Sequence, residues 1–235
     1  IKINANIVRL NKKKIKTFNS HKKSNLKNVS LVVYSSAISK NNIELVHSIK
    51  IKIPSISRAE ILSQIVKLKK TIAVSGSHGK TTTTSLISAV LNGARMKPTV
   101  INGGIINQFG TNTKLGSGDW LVVEADESDG TFVKLPASIS VVTNIDKEHL
   151  DYYSNFQNLK KYFKRFITQV PFYGFAVICI DDNDLRKLAA NISTTKIIRT
   201  GFHRESDIKC IKLRHKANET IFNVFVREQN QIIKN

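Results

Sequence analysis

Ile72-Ala-Val-Ser-Gly76-Ser-His-Gly79-Lys80-Thr81-Thr82-Thr83-Thr84 decides how this chain is read. A short apolar run ends in two glycines, followed by Lys-Thr and a stretch with helical periodicity. Physically this is a phosphate cradle. Gly76 and Gly79 let backbone N–H groups approach an anion, and the helix N-terminus adds the positive end of its dipole. Lys80 can neutralise β- and γ-phosphate charge, and the Thr81 hydroxyl can ligate Mg²⁺. The general phosphate-loop pattern places four residues between its glycines, whereas only Ser77 and His78 intervene here. The plain alternative is a tight strand-to-helix turn with an exposed lysine.

Three further segments end apolar runs in polar residues. In Asp119-Trp-Leu-Val-Val-Glu124-Ala-Asp126-Glu127-Ser128-Asp129, a buried strand delivers Glu124, Asp126, Glu127 and Asp129 to its C-terminal end. Ligands gather there in open α/β sheets, and hard oxygen donors suit Mg²⁺ held between protein and phosphates. An acidic loop alone reads as a solvated turn; downstream of a phosphate loop it reads as a metal site. In Val141-Val-Thr-Asn144-Ile-Asp146-Lys-Glu148-His149-Leu-Asp151 the polar residues include an imidazole, which can coordinate a divalent ion or orient a carboxylate near one. The other histidines, at 21, 47, 78, 203 and 215, form no metal-spacing cluster, and His78 shapes the loop it sits in. Asn102-Gly103-Gly104 offers an amide and backbone N–H groups to an anionic or sugar ligand, or is a plain turn. No nucleophile elbow is present.

Composition bounds the remaining possibilities. With 41% hydrophobic residues in 235, the chain buries a real core, which excludes wholesale disorder. No apolar run reaches the roughly 18 residues of a membrane helix, and the N-terminus lacks a signal-peptide pattern. Cys179 and Cys210 make neither a disulfide framework nor a zinc pattern, which points to a reducing cytoplasm. The net charge of +20 raises a nucleic-acid partner, but its distribution argues against one. Residues 1–70 carry 16 Lys/Arg against 2 acids, residues 71–151 carry 6 against 8, and residues 152–235 carry 15 against 7. The motif-rich third is the only one that leans acidic. Lys12-Lys13-Lys14 reads as a solvated helix face.

Strand-like runs alternate with helical stretches, the pattern of an α/β protein with a mainly parallel sheet. Strands are expected at 31–34, 71–75, 99–102, 120–125, 139–144, 175–181 and 196–200, with a short one at 51–53. Helices are expected at 41–49, 58–68, 81–91, 156–168 and 184–191, Gly93 suiting the end of the third. The stretch 211–233 reads as strands and a turn. A domain boundary falls near 69–71, because too little sheet precedes it for a complete doubly wound domain. Both ends look cut.

In this order, Gly76-Ser-His-Gly-Lys-Thr-Thr-Thr-Thr84, Asn102-Gly-Gly-Ile-Ile-Asn107, Glu124-Ala-Asp-Glu-Ser-Asp-Gly-Thr-Phe132 and Thr143-Asn-Ile-Asp-Lys-Glu-His-Leu-Asp151 resemble the Mur ligase family of ATP-dependent amide-bond-forming enzymes. The family's shorter loop accounts for the two-residue glycine spacing. The resemblance implies the C-terminal part of a UDP-binding Rossmann-like domain over 1–69 and a P-loop-type central ATP-binding domain over 70–235, incomplete at its end. The family's opening glycine-rich loop, its later His-Asn…Asn-Ala motif and its C-terminal domain have no counterpart here. By resemblance, Gly76, Ser77, His78, Gly79, Lys80, Thr81 and Thr82 hold the ATP phosphates, with Lys80 on the γ-phosphate. Thr81 and Glu124 hold one Mg²⁺ and His149 a second, which makes Lys80, Glu124 and His149 the catalytic set. Asn102, Gly103, Asp126, Ser128 and Asn144 are assigned to the substrate side. The implied reaction joins L-alanine to UDP-N-acetylmuramate through an acyl phosphate in peptidoglycan synthesis, in the cytoplasm, without nucleic acid or membrane insertion. Attachment of a whole tripeptide to the same UDP-sugar, and a non-catalytic nucleotide-binding fragment, are the alternatives.

Overall fold

The structure, a computed structural model, describes residues 5–35, 37–106, 111–217 and 219–233. The chain divides into two compact units, Ile1–Leu62 and Ser63–Asn235.

In the first unit, α1 (Ala5–Lys12) and a 3₁₀ turn (Lys23–Leu26) precede β1 (Val32–Tyr34), α2 (Ile43–Lys50), β2 (Ser55–Ser57) and the start of α3 (Arg58–Val66). β1 and β2 pair in parallel, Val32 opposite Ser55, with α2 in the connection. Asn42 caps α2 by accepting from Glu44 N at 2.9 Å. Ser57 and Glu60 form a reciprocal capping box on α3, at 2.7 and 3.2 Å. The strand expected at 51–53 is instead the C-terminal turn of α2. Ile53 N donates to Ser48 O at 2.9 Å across a left-handed Lys52 (φ 58°), so strand pairing starts only after Pro54. Nor is Lys12-Lys13-Lys14 a helix face: α1 ends at Lys12 and Lys14 is left-handed (φ 58°). The run straddles the helix end, where positive charge complements the carbonyl end of the dipole.

In the second unit the elements are β3 (Lys70–Ser75), α4 (Lys80–Gly93), β4 (Thr99–Ile106), β5 (Thr111–Lys114), β6 (Trp120–Glu124), β7 (Ile139–Val142), α5 (Leu150–Tyr153), α6 (Phe156–Thr168), β8 (Phe175–Cys179), α7 (Asn183–Ala190), β9 (Ile197–Gly201), β10 (Ile208–His215), β11 (Thr220–Val226) and β12 (Gln231–Ile233). They form one sheet in the order β12-β11-β10-β9-β8-β7-β3-β6-β4-β5. The stretch from β10 to β4 is parallel, and β5, β11 and β12 add antiparallel edges. The edge strand β5 has no apolar alternation and was not expected; Asn107 lies outside the described residues.

β3 is buried from Thr71 to Ser75, which explains its unbroken apolar reading. Ile72, Val74, Val122 and Val141 form a core cluster against which Ile87 and Leu91 of α4 pack. Phe132 stands 5.2 Å, centroid to centroid, from both Phe163 and Phe166 of α6. α4 ends at Gly93, as expected, and the turn after it closes through Arg95, left-handed at φ 59°, with Met96 N donating to Leu91 O at 2.9 Å. The architecture matters for function in one respect. The chain leaves β3 for β4 on one side and later returns to β7 on the other, so the loop after β3 sits at the sheet's topological switch point.

Candidate nucleotide site

The loop between β3 and α4 is docked against the end of β7. Asn144 accepts from His78 N at 2.8 Å through Oδ1, donates to His78 O at 3.0 Å, and accepts from Ser77 N at 3.2 Å with its backbone carbonyl. Thr143 Oγ1 donates to His78 O at 2.7 Å, and Asp146 N donates to Ser77 Oγ at 2.8 Å. Such close docking leaves no room for a side chain at residue 76. A Cβ on Gly76 would fall 2.1 Å from Thr143 Oγ1, and its φ of 137° suits glycine alone. Gly79 is left-handed at φ 79°, but open space surrounds it. The first bond of α4 runs from Thr83 N to Gly79 O at 2.9 Å, and the N–H groups before it have no intrahelical acceptor. A glycine-lined turn with unpaired helix-start amides fits an anion.

Lys80 folds back over this loop, donating to Gly76 O at 2.7 Å and Ser77 O at 3.2 Å. Its ammonium also stands 3.0 Å from the Glu127 carboxylate. Glu127 is 1% exposed, and burial pushes its carboxyl above the usual carboxylate range against the opposing pull of Lys80. Its Oε2 is buried, with the Lys80 ammonium at 3.0 Å and no other hydrogen-bond partner. The Tyr153 hydroxyl donates to the Glu127 carbonyl, and burial, then the negative charge of Glu127, pushes that phenol far up.

Thr81 Oγ1 donates to Glu124 Oε2 at 2.9 Å, and Gly103 N donates to the same oxygen at 2.8 Å. A hydroxyl and a carboxylate thus meet at the base of the phosphate loop, the donor chemistry of a hard cation. His149 belongs to a different group. It is left-handed (φ 54°) just before α5, its Nε2 is 3.9 Å from Glu127 Oε1, and Glu127, Glu148 and His149 each place a ligand atom within 4.8 Å of the others. Asp146 sits beside His78 at 3.4 Å. The Lys147 backbone N–H, and then His78, hold its carboxyl below the usual range.

The residues assigned to the substrate side are placed unevenly. Asn102 is buried and its amide donates into α4, to Ser85 Oγ at 3.2 Å and Thr81 O at 3.4 Å. Gly103 N is taken by Glu124, and Asn144 by the phosphate loop. Asp126 is exposed and accepts from Ser128 N at 3.0 Å in a local turn. Thr82 lies in the first turn of α4. Sequence reasoning gave Glu127 only as one of four carboxylates suited to Mg²⁺, and assigned no role to Thr143 or Glu148. Nothing local in an acidic run tells which carboxylate the fold buries, whereas Thr143 stood next to a named residue.

Fold and loop together define an α/β protein whose glycine-lysine loop lies at the switch point of a mainly parallel sheet. Residues 74–234 match the Mur ligase middle domain, and residues 1–70 match a segment described as Mur ligase family, catalytic domain. The chain belongs to the Mur ligase family. It is 47% identical over 226 residues to the UDP-N-acetylmuramate–L-alanine ligase of Methylorubrum populi, covering 96% of this chain and 48% of that protein. The enzyme of the same description from Brucella anthropi is also 47% identical, over 225 residues, again covering 96% and 48%. The chain therefore spans about half the length of these relatives. A crystal structure of UDP-N-acetylmuramate–alanine ligase from Thermotoga maritima superposes with a TM-score of 0.80 at 24% identity, covering all of this chain and 53% of that one. Likeness at that identity speaks for the fold. Among the described residues, no helix is long and apolar enough to cross a membrane.

Proposed function

We propose that this chain is the nucleotide-binding part of a cytoplasmic ligase that joins L-alanine to UDP-N-acetylmuramate at the expense of ATP. The observation that carries the reading is the phosphate loop with Lys80 across its mouth and the Thr81–Glu124 pair at its base. The substrates come from relatives of that name at 47% identity. Residues 1–69 then contribute part of a UDP-binding domain and residues 70–235 the central ATP-binding domain.

In this reaction the muramate carboxylate takes the γ-phosphoryl group of ATP, ADP leaves, and the amine of L-alanine displaces phosphate from the acyl phosphate. The chain's own residues position and neutralise charge more than they react. Gly79 to Thr82 bind phosphate oxygens through backbone N–H groups, the N–H groups of Ser77 and His78 being held by Asn144, and Lys80 places its ammonium against the transferring group. Thr81 with Glu124 would hold one Mg²⁺, and His149 with Glu127 and Glu148 a second. Such ions lower the repulsion between ATP and an incoming carboxylate. Asp126, exposed beside the loop from β6, is the substrate-side assignment with the freest approach.

Calorimetry on the 235-residue chain tests the reading. Mg²⁺-ATP binds the wild type, and Lys80→Ala removes most of that affinity; equal affinity for both would refute it. The tripeptide-attaching alternative shares the fold, as a TM-score of 0.81 to such a ligase from Neisseria meningitidis illustrates at 20% identity. The names of the 47% relatives favour the alanine-adding reaction.

A further inference from the structure

Lys80 has no proton to spare in this structure. An ammonium carries three donors, and four acceptor oxygens surround this one: Gly76 O at 2.7 Å, Ser77 O at 3.2 Å, and Glu127 Oε1 and Oε2, each at 3.0 Å. The lysine is only 15% exposed and Glu127 1% exposed, so the pair is largely withdrawn from water. A phosphate entering the loop needs the same ammonium. It gains that charge only if Lys80 lets go of at least one acceptor, and the charged one is the strongest competitor.

We propose that Glu127 is a positioning residue that latches Lys80 across the phosphate loop and yields it to an arriving phosphate. This rests on the phosphate-loop reading and gives Glu127 a role toward Lys80 that reading does not assign. Two observations give Glu127 the properties of an exchange partner rather than a fixed strut. Both of its carboxylate oxygens stand 3.0 Å from Lys80 Nζ, and Oε2 has no other hydrogen-bond partner, so the Lys80 contact is not one bond in a saturated network. His149 and Glu148 stand within reach of the carboxylate, so its surroundings remain polar when Lys80 leaves. The backbone is anchored independently, through the Tyr153 hydroxyl on the Glu127 carbonyl. The side chain can therefore change partner without the loop moving.

A latch predicts that weakening the competitor tightens anion binding. The test is calorimetric titration of the 235-residue chain with inorganic pyrophosphate in excess chelator, so that no cation enters. Glu127→Gln keeps the shape, removes the charge and binds pyrophosphate about five- to tenfold more tightly than the wild type. Glu127→Asp keeps the charge but draws it back by a methylene, and gives a smaller gain in the same direction; it carries the test if the glutamine variant does not fold. In a Lys80→Met background the Glu127→Gln gain shrinks to within about twofold, because the two residues act as a pair. Unchanged or weakened binding in the folded Glu127 variants overturns the latch, as does an equal gain without Lys80, which would mean a simple field effect. Wild-type binding that Lys80→Met weakens, with no effect at Glu127, leaves the phosphate-loop reading standing and removes only the latch. No binding by wild type or variants removes both.

Discussion

Thr81 Oγ1 and Glu124 Oε2 lie 2.9 Å apart although one opens α4 and the other closes β6, and the same carboxylate oxygen also takes Gly103 N at 2.8 Å from β4. A single oxygen therefore ties three elements together at the base of the phosphate loop. The spacing is close enough that a Cβ on Gly103 would lie 2.8 Å from Glu124 Oε1.

Glu124→Gln separates the two things this carboxylate can do. The amide oxygen still accepts from Thr81 and Gly103, so thermal stability falls by no more than about 1 kcal/mol. The charge is gone, so the gain in ATP affinity on adding Mg²⁺ largely disappears while metal-free ATP binding does not weaken. Titrations with and without Mg²⁺, beside a thermal melt, check this. A full Mg²⁺ effect in the variant would limit Glu124 to structure.

The two loop glycines respond differently to alanine. At Gly76 the new methyl meets Thr143 Oγ1 at 2.1 Å and the backbone at φ 137° resists any side chain. Gly76→Ala therefore costs about 2–3 kcal/mol and undocks the loop from β7. At Gly79 nothing lies within 4 Å of the added carbon, and only the left-handed backbone objects, at about 1–2 kcal/mol. Denaturant unfolding of both variants ranks them, with Gly76→Ala the less stable. Equal losses would mean that docking onto Thr143 contributes nothing.

The loop was legible in the sequence because all its information is local: an apolar strand, two glycines, Lys-Thr, and a helix follow one another directly. The parallel sheet was legible for the same reason, since strands buried on both faces read as unbroken apolar runs such as Thr71–Ser75. Partnerships between segments were not. Glu124, Asp126, Glu127 and Asp129 look alike in a row, yet the fold buries Glu127 beneath Lys80 and leaves Asp126 exposed. The turn at Ile51–Ile53 was misread because β-branched residues in a short run resemble a strand. A helix-closing bond from Ile53 N to Ser48 O is invisible to periodicity.

Two aromatic residues of the second unit differ sharply in burial. Phe163 is fully buried, 5.2 Å from Phe132, whereas Phe172, a few residues on, is 100% exposed. Phe163→Ala leaves a cavity beneath α6 and costs about 3–5 kcal/mol, while Phe172→Ala stays within about 0.5 kcal/mol. Urea midpoints at constant m-value measure both. A small loss at Phe163 would mean that α6 does not pack as described.

The acid limb of stability in the first unit is set in part by Glu44. Burial pushes its carboxyl up, but hydrogen bonds from His21 (2.5 Å), Asn25 (2.7 Å) and Lys22 N (3.4 Å) outweigh burial and hold it below the ordinary 4.5. The sign follows from linkage. Above the ordinary value the carboxylate is ionised whether folded or not, and its full contribution is present. As the pH falls below that value, the unfolded chain takes up its proton first, and stability is lost until the folded carboxyl is protonated too. Glu44→Gln has nothing to titrate, so it is less stable than the wild type near neutrality and the difference narrows as pH drops through this window. Urea unfolding at about pH 7 and about pH 3, followed by amide resonances of α2, reads the first unit alone. A wild-type advantage that stays constant between the two conditions would show that these hydrogen bonds do not favour the ionised form.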